Sequence, residues 1–211
     1  MNKILAIIGA GELGKQIAHI AITNKLYKGI IYFDDFYQEN YFIGYKVIGK
    51  LDLILESYND GLFDEIIIGV GYNHMSFRES LFNKIKNNRI PFGNVIHSST
   101  YIDKTVKIGE GIVIYPGVIL DANVELKDNI LINIGASISH DTIINSHCFI
   151  SPQVALAGFI SIGEKCILGI NSTVIDGINI SNSVQIGAGG IVIKNLIKSG
   201  LYVGNPVRFI R

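Results

Sequence analysis

From Ile102 to Ile186 every sixth residue is a large aliphatic. The series runs Ile102, Ile108, Ile114, Leu120, Leu126, Ile132, Ile138, Ile144, Ile150, Leu156, Ile162, Leu168, Val174, Ile180 and Ile186, with no gap in fifteen hexads. With Ile, Leu and Val near one third of positions, chance would give such a run roughly once in ten million trials. Four residues after each of these sits a smaller or β-branched residue, from Val106 through Ala136, Thr142, Cys148 and Ser172 to Gly190. A period of six fits neither an α-helix nor a flat strand, whose periods are 3.6 and 2. It fits a parallel β-helix of hexapeptides, in which each repeat buries its apolar edge only by stacking on its neighbours. Three hexads per turn make a triangular coil, so residues eighteen apart stack. Cys148 and Cys166 then share one inward column as free thiols, packed as small hydrophobes.

The first hundred residues follow another rule. Short apolar runs alternate with amphipathic stretches: strands over 3–8, 30–33, 65–70 and 94–97, and helices over 12–24, 51–58 and 76–87. In the last helix Phe77, Leu81, Phe82 and Ile85 share a face. Alternating strands and helices predict a small parallel α/β sheet. Gly9-x-Gly11-x-x-Gly14 falls between the first strand and the first helix, and Asp34 follows Gly14 by twenty residues. That spacing is a dinucleotide-binding fingerprint, in which glycines let phosphates approach a helix N-terminus and an acid takes a ribose hydroxyl. Four strands in about 95 residues are too few for two mononucleotide halves. The expected organisation is a Rossmann-like domain over 1–98, a β-helix over 99–194 and a C-terminal cap over 195–211.

Composition narrows the function. Lys and Arg total 18, as do Asp and Glu, so the net charge is zero and nothing suggests a nucleic-acid partner. Hydrophobic residues at 48% and charged residues at 17% exclude a disordered chain. No run of 18 apolar residues predicts a membrane span. The N-terminal stretch ending in Gly9-Ala10-Gly11-Glu12 fits a signal peptide poorly, which points to a cytoplasmic protein. Flat, uncharged coil faces predict self-association.

Several segments together resemble the left-handed β-helix acyltransferases. They are Gly9-Ala10-Gly11-Glu12-Leu13-Gly14, Phe33-Asp34-Asp35, Val95-Ile96-His97, Asn133, Ser139-His140-Asp141, Ala157-Gly158, Leu168-Gly169-Ile170-Asn171-Ser172 and Val203-Gly204-Asn205-Pro206-Val207-Arg208. The chain is most similar to the branch that acetylates nucleotide-linked amino sugars and sialic acids. The left hand of the coil is implied by this resemblance alone.

The resemblance also implies a chemistry. An amine must lose a proton as it attacks the thioester of acetyl-CoA, and a histidine suits that task at neutral pH. His140 stands where the family has its general base, and Asp141 where it has the acid that supports it. Gly158 matches the glycine whose N–H holds the developing oxyanion. Gly158, Ile170 and Ala188 match cofactor-binding positions, and so does Phe149, where many relatives carry a histidine. Gly11, Glu12, Leu13, Asp34, Asp35, Gly71 and Asn133 match positions that bind the nucleotide sugar, with Leu13 again replacing a frequent histidine. The expected activity is acetyl transfer from acetyl-CoA to the amino group, at C4, of a nucleotide-linked amino-deoxy sugar for surface glycan synthesis. Active sites between the subunits of a homotrimer are implied with it.

Other readings use the same residues. An O-acetyltransferase of a free sugar such as sialic acid would keep the coil and lack the nucleotide site. An NAD-dependent enzyme would use the fingerprint and leave the coil as scaffold. A zinc enzyme of carbonic-anhydrase type needs clustered histidines, whereas His140 and His147 are seven apart and fall on different faces, so no metal is expected.

Overall fold

The computed structural model describes residues 3–211, which form two compact units, through Ile96 and from His97. In the first, β1 (Ile4–Ile8), β2 (Gly29–Phe33), β3 (Tyr41–Phe42), β4 (Tyr45–Gly49) and β5 (Glu65–Ile68) form one sheet. Its order is β3-β4-β2-β1-β5. β1 is apolar throughout because it lies between β2 and β5, in parallel pairing with both. α1 (Glu12–Thr23) buries Gly14, Ile17, Ala18, Ile20 and Ala21, the stripe expected of a helix on a sheet.

The sheet departs from the expected one at its edge. β4 runs parallel to β2, but β3 returns antiparallel to β4, so the sheet is mixed. The cause is a two-residue turn at Ile43-Gly44, both at positive φ, which makes a tight hairpin. Val95–Ile96, expected as a last strand, is not part of this sheet. The second helical stretch is split into a 3-10 turn at Leu51–Leu53 and α2 (Ile54–Asn59).

α3 (Met75–Asn87) also corrects an expectation. Its buried residues are Arg78, Leu81, Phe82 and Ile85, while Phe77 is exposed. An arginine takes the place of an aromatic because its guanidinium serves the backbone carbonyls of Ile68 and Val70.

Gly14 is required by packing alone. A Cβ there would lie 2.0 Å from the carbonyl oxygen of Gly9, with Tyr32 on its other side. Helix and strand turn touch through bare backbone. Gly14→Ala is therefore expected to destabilise the chain by about 3 kcal/mol. Urea unfolding checks this, and a variant of unchanged midpoint would refute it.

The second unit is a left-handed parallel β-helix of two-residue strands, one per hexad. Three faces stack in parallel. One face carries Tyr101–Ile102, Ile119–Leu120, Ser137–Ile138, Ala155–Leu156, Thr173–Val174 and Ile191–Val192. A second carries Lys107–Ile108, Glu125–Leu126, Ile143–Ile144, Ser161–Ile162 and Asn179–Ile180. The third carries Val113–Ile114, Leu131–Ile132, Phe149–Ile150, Ile167–Leu168 and Val184–Ile186. Gly200–Gly204 and Val207–Phe209 extend this third face. Register is eighteen residues through the hexads, as in Leu120↔Ile138 and Ile138↔Leu156, and sixteen where Gly200–Gly204 joins Val184–Ile186. The aliphatic of each hexad from Ile114 onward is buried, and so is the smaller residue four places on from Ile112 onward. The aliphatic series runs one step beyond Ile186, to the buried Val192.

The corners explain the hexad's polar positions. Fourteen consecutive repeats, from Gly111 to Gly189, put the third residue after the aliphatic at positive φ. Five of these are glycine and three asparagine, the residues that adopt this conformation at least cost. Cys148 and Cys166 are free, buried and stacked, donating to the carbonyls of Gly163 and Ser181. Burial pushes the Cys148 thiol up, so it is inert packing.

Candidate active site

Two places in the chain carry the candidate residues, one in each unit. In the coil, the corner after Ser137–Ile138 presents His140 and Asp141, and the same corner one coil on presents Gly158 and Phe159. His140 Nδ1 lies 2.9 Å from Asp141 Oδ2, and Asn123 Nδ2 donates to Asp141 Oδ1 at 3.1 Å. Both carboxylate oxygens are thus engaged, and Asp141 sits in a left-handed backbone (φ 56°) that turns its side chain back onto the preceding ring. The hydrogen bond from His140 and then that from Asn123 hold the Asp141 carboxyl below the usual carboxylate range, so it stays ionised at neutral pH. An ionised carboxylate only accepts. Nδ1 therefore carries the proton, and Nε2 presents its lone pair.

Gly158 lies directly against that ring. A Cβ built on it would fall 2.6 Å from Cε1, 2.8 Å from Nε2 and 3.1 Å from Nδ1 of His140. Only a bare Cα fits. The Gly158 N–H makes no hydrogen bond among the described residues. In three other hexads the equivalent N–H is taken by a side chain from the next coil, Glu110 donating to Asp128, Asp128 to Ser146 and Glu164 to Asn182. A base with an open lone pair and an unused N–H therefore stand side by side. The ring of Phe159 meets His140 edge-on, with centroids 5.0 Å apart.

The remaining coil residues are elsewhere. Ile170 and Ala188 are exposed, one coil apart, on the corner after the third face. Asn133 is on that same corner further back, its Oδ1 accepting the N–H of Ile134 at 3.4 Å. A single chain therefore separates this set from His140 by one whole face. Phe149 is 9% exposed and offers little surface to a ligand.

In the first unit the candidates meet at the carboxyl ends of β1, β2 and β5, where open α/β sheets bind ligands. Gly11 precedes α1 with no side-chain cap, Glu12 is exposed and within 4.0 Å of Lys15, and Leu13 is half-buried. Asp34 is held by backbone. Oδ2 accepts the N–H of Ala10, and Oδ1 accepts those of Phe36 and Tyr37. Its carboxylate ties the glycine turn to the loop after β2. Asp35 is exposed and uses one oxygen on the N–H of Leu51. It lines an open groove together with Lys50, Phe77, Ser80 and Lys84.

Gly71 starts the 3-10 turn at Tyr72–His74. The loop before it is fixed by Arg78, which donates to the carbonyls of Ile68 at 3.1 Å and Val70 at 2.5 Å. Burial lowers the Arg78 pKa to about 10. Sequence reasoning misses Arg78, Lys50 and Lys84. None lies in a motif, and only the apolar period of α3, interrupted at 78, hints at the first. Among the described residues no group of three or more His, Cys, Asp or Glu could hold a metal ion, and no helix is long and apolar enough to cross a membrane.

Residues 4–85 match the family model of the PglD N-terminal domain. The whole chain is similar to solved structures. The acetyltransferase domain of PglB from Neisseria gonorrhoeae is 27% identical, with 99% of this chain and 100% of that one covered and a TM-score of 0.90. PerB from Caulobacter crescentus, in complex with CoA and GDP-perosamine, is 28% identical over 98% and 97% of the two chains, with a TM-score of 0.90. WeeI from Acinetobacter baumannii, 22% identical over 98% and 99% with a TM-score of 0.85, shares the fold. With a first domain that matches the PglD N-terminal model, a coil of hexapeptides and full-length likeness to these acetyltransferases, the chain is similar to the hexapeptide-repeat nucleotide-sugar acetyltransferases.

Proposed function

We propose that the chain transfers the acetyl group of acetyl-CoA to the amino group, at C4, of a nucleotide-linked amino-deoxy sugar, with His140 as general base. The observation that carries this reading is the imidazole held by Asp141 through Nδ1, its Nε2 open beside the bare Cα and unused N–H of Gly158. Acetyl-CoA brings the activated thioester. As the amine nitrogen bonds to the acyl carbon, Nε2 of His140 takes the proton that nitrogen loses. Asp141 stabilises the resulting imidazolium. The Gly158 N–H is placed to hold the charge growing on the acyl oxygen. When the carbon–sulfur bond breaks, His140 returns its proton to the departing thiolate, and the base is regenerated.

The carboxyl edge of the first sheet is assigned to the nucleotide, with the uncapped N-terminus of α1 at Gly11 toward its phosphates. In the groove that Asp35 and Asp52 also line, Lys50 and Lys84 are assigned to the phosphates. The relative solved with GDP-perosamine and CoA supports this choice of substrates. We assign Ile170 and Ala188 to the cofactor groove. They stand a face away from His140, so a homotrimer, with one copy's corner beside the next, is the arrangement that would unite them. Tyr101, Ile119 and Ile143, exposed on the outer faces, suit such packing. The reaction belongs in the cytoplasm, in the assembly of surface polysaccharide.

Thiol release from acetyl-CoA, followed with UDP-, dTDP- and GDP-linked 4-amino-4,6-dideoxy sugars, tests the reading. Release is expected with at least one of them and not with the nucleotide-free sugar. Release with free sialic acid alone would overturn it in favour of O-acetylation.

A further inference from the structure

Phe159 is the odd member of its column. Each corner of the coil needs a residue at positive φ, and Gly, Asn, Asp, Ser, Gln, Lys and His fill thirteen of the fourteen places. Phe159 (φ 58°) fills the other. A bulky ring in this conformation is strained, and its local fold gains nothing from it. The backbone bond the corner requires, from the Phe159 N–H to the His140 carbonyl at 3.1 Å, is also made in the neighbouring coils by Asp141 and by Gly177. The ring is not buried either: Phe159 is 63% exposed. The chain thus tolerates backbone strain and an exposed apolar surface at one residue. Among the described residues the one aromatic partner of that ring is His140, met edge-on at an interplanar angle of 85°.

We propose that Phe159 is a positioning residue for His140. Three surfaces then fix the imidazole: Asp141 on Nδ1, Gly158 against its plane, and Phe159 alongside. Asp141 alone leaves the ring free to swing about that one hydrogen bond. Gly158 blocks one direction and the phenyl ring another, which keeps Nε2 aimed at one place. This rests on His140 being the base, and it adds why this chain has a phenyl ring where a smaller polar residue would fold better.

The test compares Phe159→Asn, Phe159→Tyr and His140→Ala with wild type. Asn is the residue the corner prefers, so F159N is expected to raise Tm while lowering kcat about twentyfold, with KM for acetyl-CoA unchanged. F159Y keeps the ring and is expected to stay within threefold of wild-type kcat. Side-chain nitrogen–proton correlation spectra report the ring without any acceptor, with the His140 signals identified by their loss in H140A. The same Nδ1-protonated tautomer, set by Asp141, is expected in wild type, F159Y and F159N, with the His140 ring signals shifted and broadened in F159N alone as the ring swings about that bond. Unchanged ring signals and kcat in F159N would overturn the proposal, as would a fall in Tm that tracks the fall in kcat, because the ring would then serve the fold. If H140A keeps full activity, the base assignment itself fails, and the positioning role with it. If H140A is inactive while F159N behaves as wild type, only the positioning role falls.

Discussion

Replacing His140 with alanine is expected to lower kcat about a thousandfold, within the range that positioned general bases contribute. The size follows from the geometry. The imidazole is the one titrating group at this corner whose lone pair is open, since both oxygens of Asp141 are occupied by Asn123 and by the ring itself. Asp141 cannot take over as base, because its carboxyl is held below the ordinary carboxylate range and is a poor proton acceptor at neutral pH. His140→Asn is the sharper comparison. An amide can fill much of the volume and donate to Asp141, yet it accepts no proton. Both variants should therefore fall together in kcat while Tm stays close to wild type, the side chain being half-exposed. Thiol release at saturating acetyl-CoA reads the effect. A loss below tenfold in H140N would mean that the amine arrives already deprotonated or that another group removes the proton.

Most of the architecture is legible in the amino-acid sequence. The six-residue period of Ile102 to Ile186 allows no other fold, because each aliphatic has to land on an inner edge. The corner column is less visible. Its positive φ can be met by Gly, Asn, Asp, Gln, Lys, Ser or even Phe, so no single residue type marks it. His140 and Gly158 are eighteen apart, so the coil period alone makes them neighbours. That a methyl would not fit between them is a matter of tenths of an ångström that no pattern encodes. In the first unit the glycine turn is readable, but the backbone contacts of Asp34 are not. A strand-end acid aimed at a ligand and one aimed at the N–H groups of Ala10, Phe36 and Tyr37 occupy the same place in sequence. Arg78 is hidden for a similar reason. A helical stripe is recognised by its apolar members, and an arginine buried for the carbonyls of Ile68 and Val70 breaks it.

Gly158→Ala is expected to cost about a hundredfold in kcat/KM with almost no loss of stability. Gly158 is not at positive φ, so alanine strains no backbone there. The added methyl carbon would instead sit 2.6 to 3.1 Å from three ring atoms of His140, well inside ordinary contact distance. The backbone is fixed by the ladder, with the Gly158 carbonyl accepting the N–H of Gly177 at 3.0 Å, so the ring has to move. It can do so cheaply, swinging toward solvent and giving up Asp141. The Gly158 N–H survives the substitution, which separates two roles of this glycine. If the loss comes from the displaced base, adding G158A to H140A should change nothing further, a strongly non-additive pair. If G158A still lowers the residual activity of H140A several-fold, the methyl is disturbing the place where the acyl oxygen binds. Activity of G158A within twofold of wild type would mean that the imidazole does its work from a position other than the one it holds against Gly158.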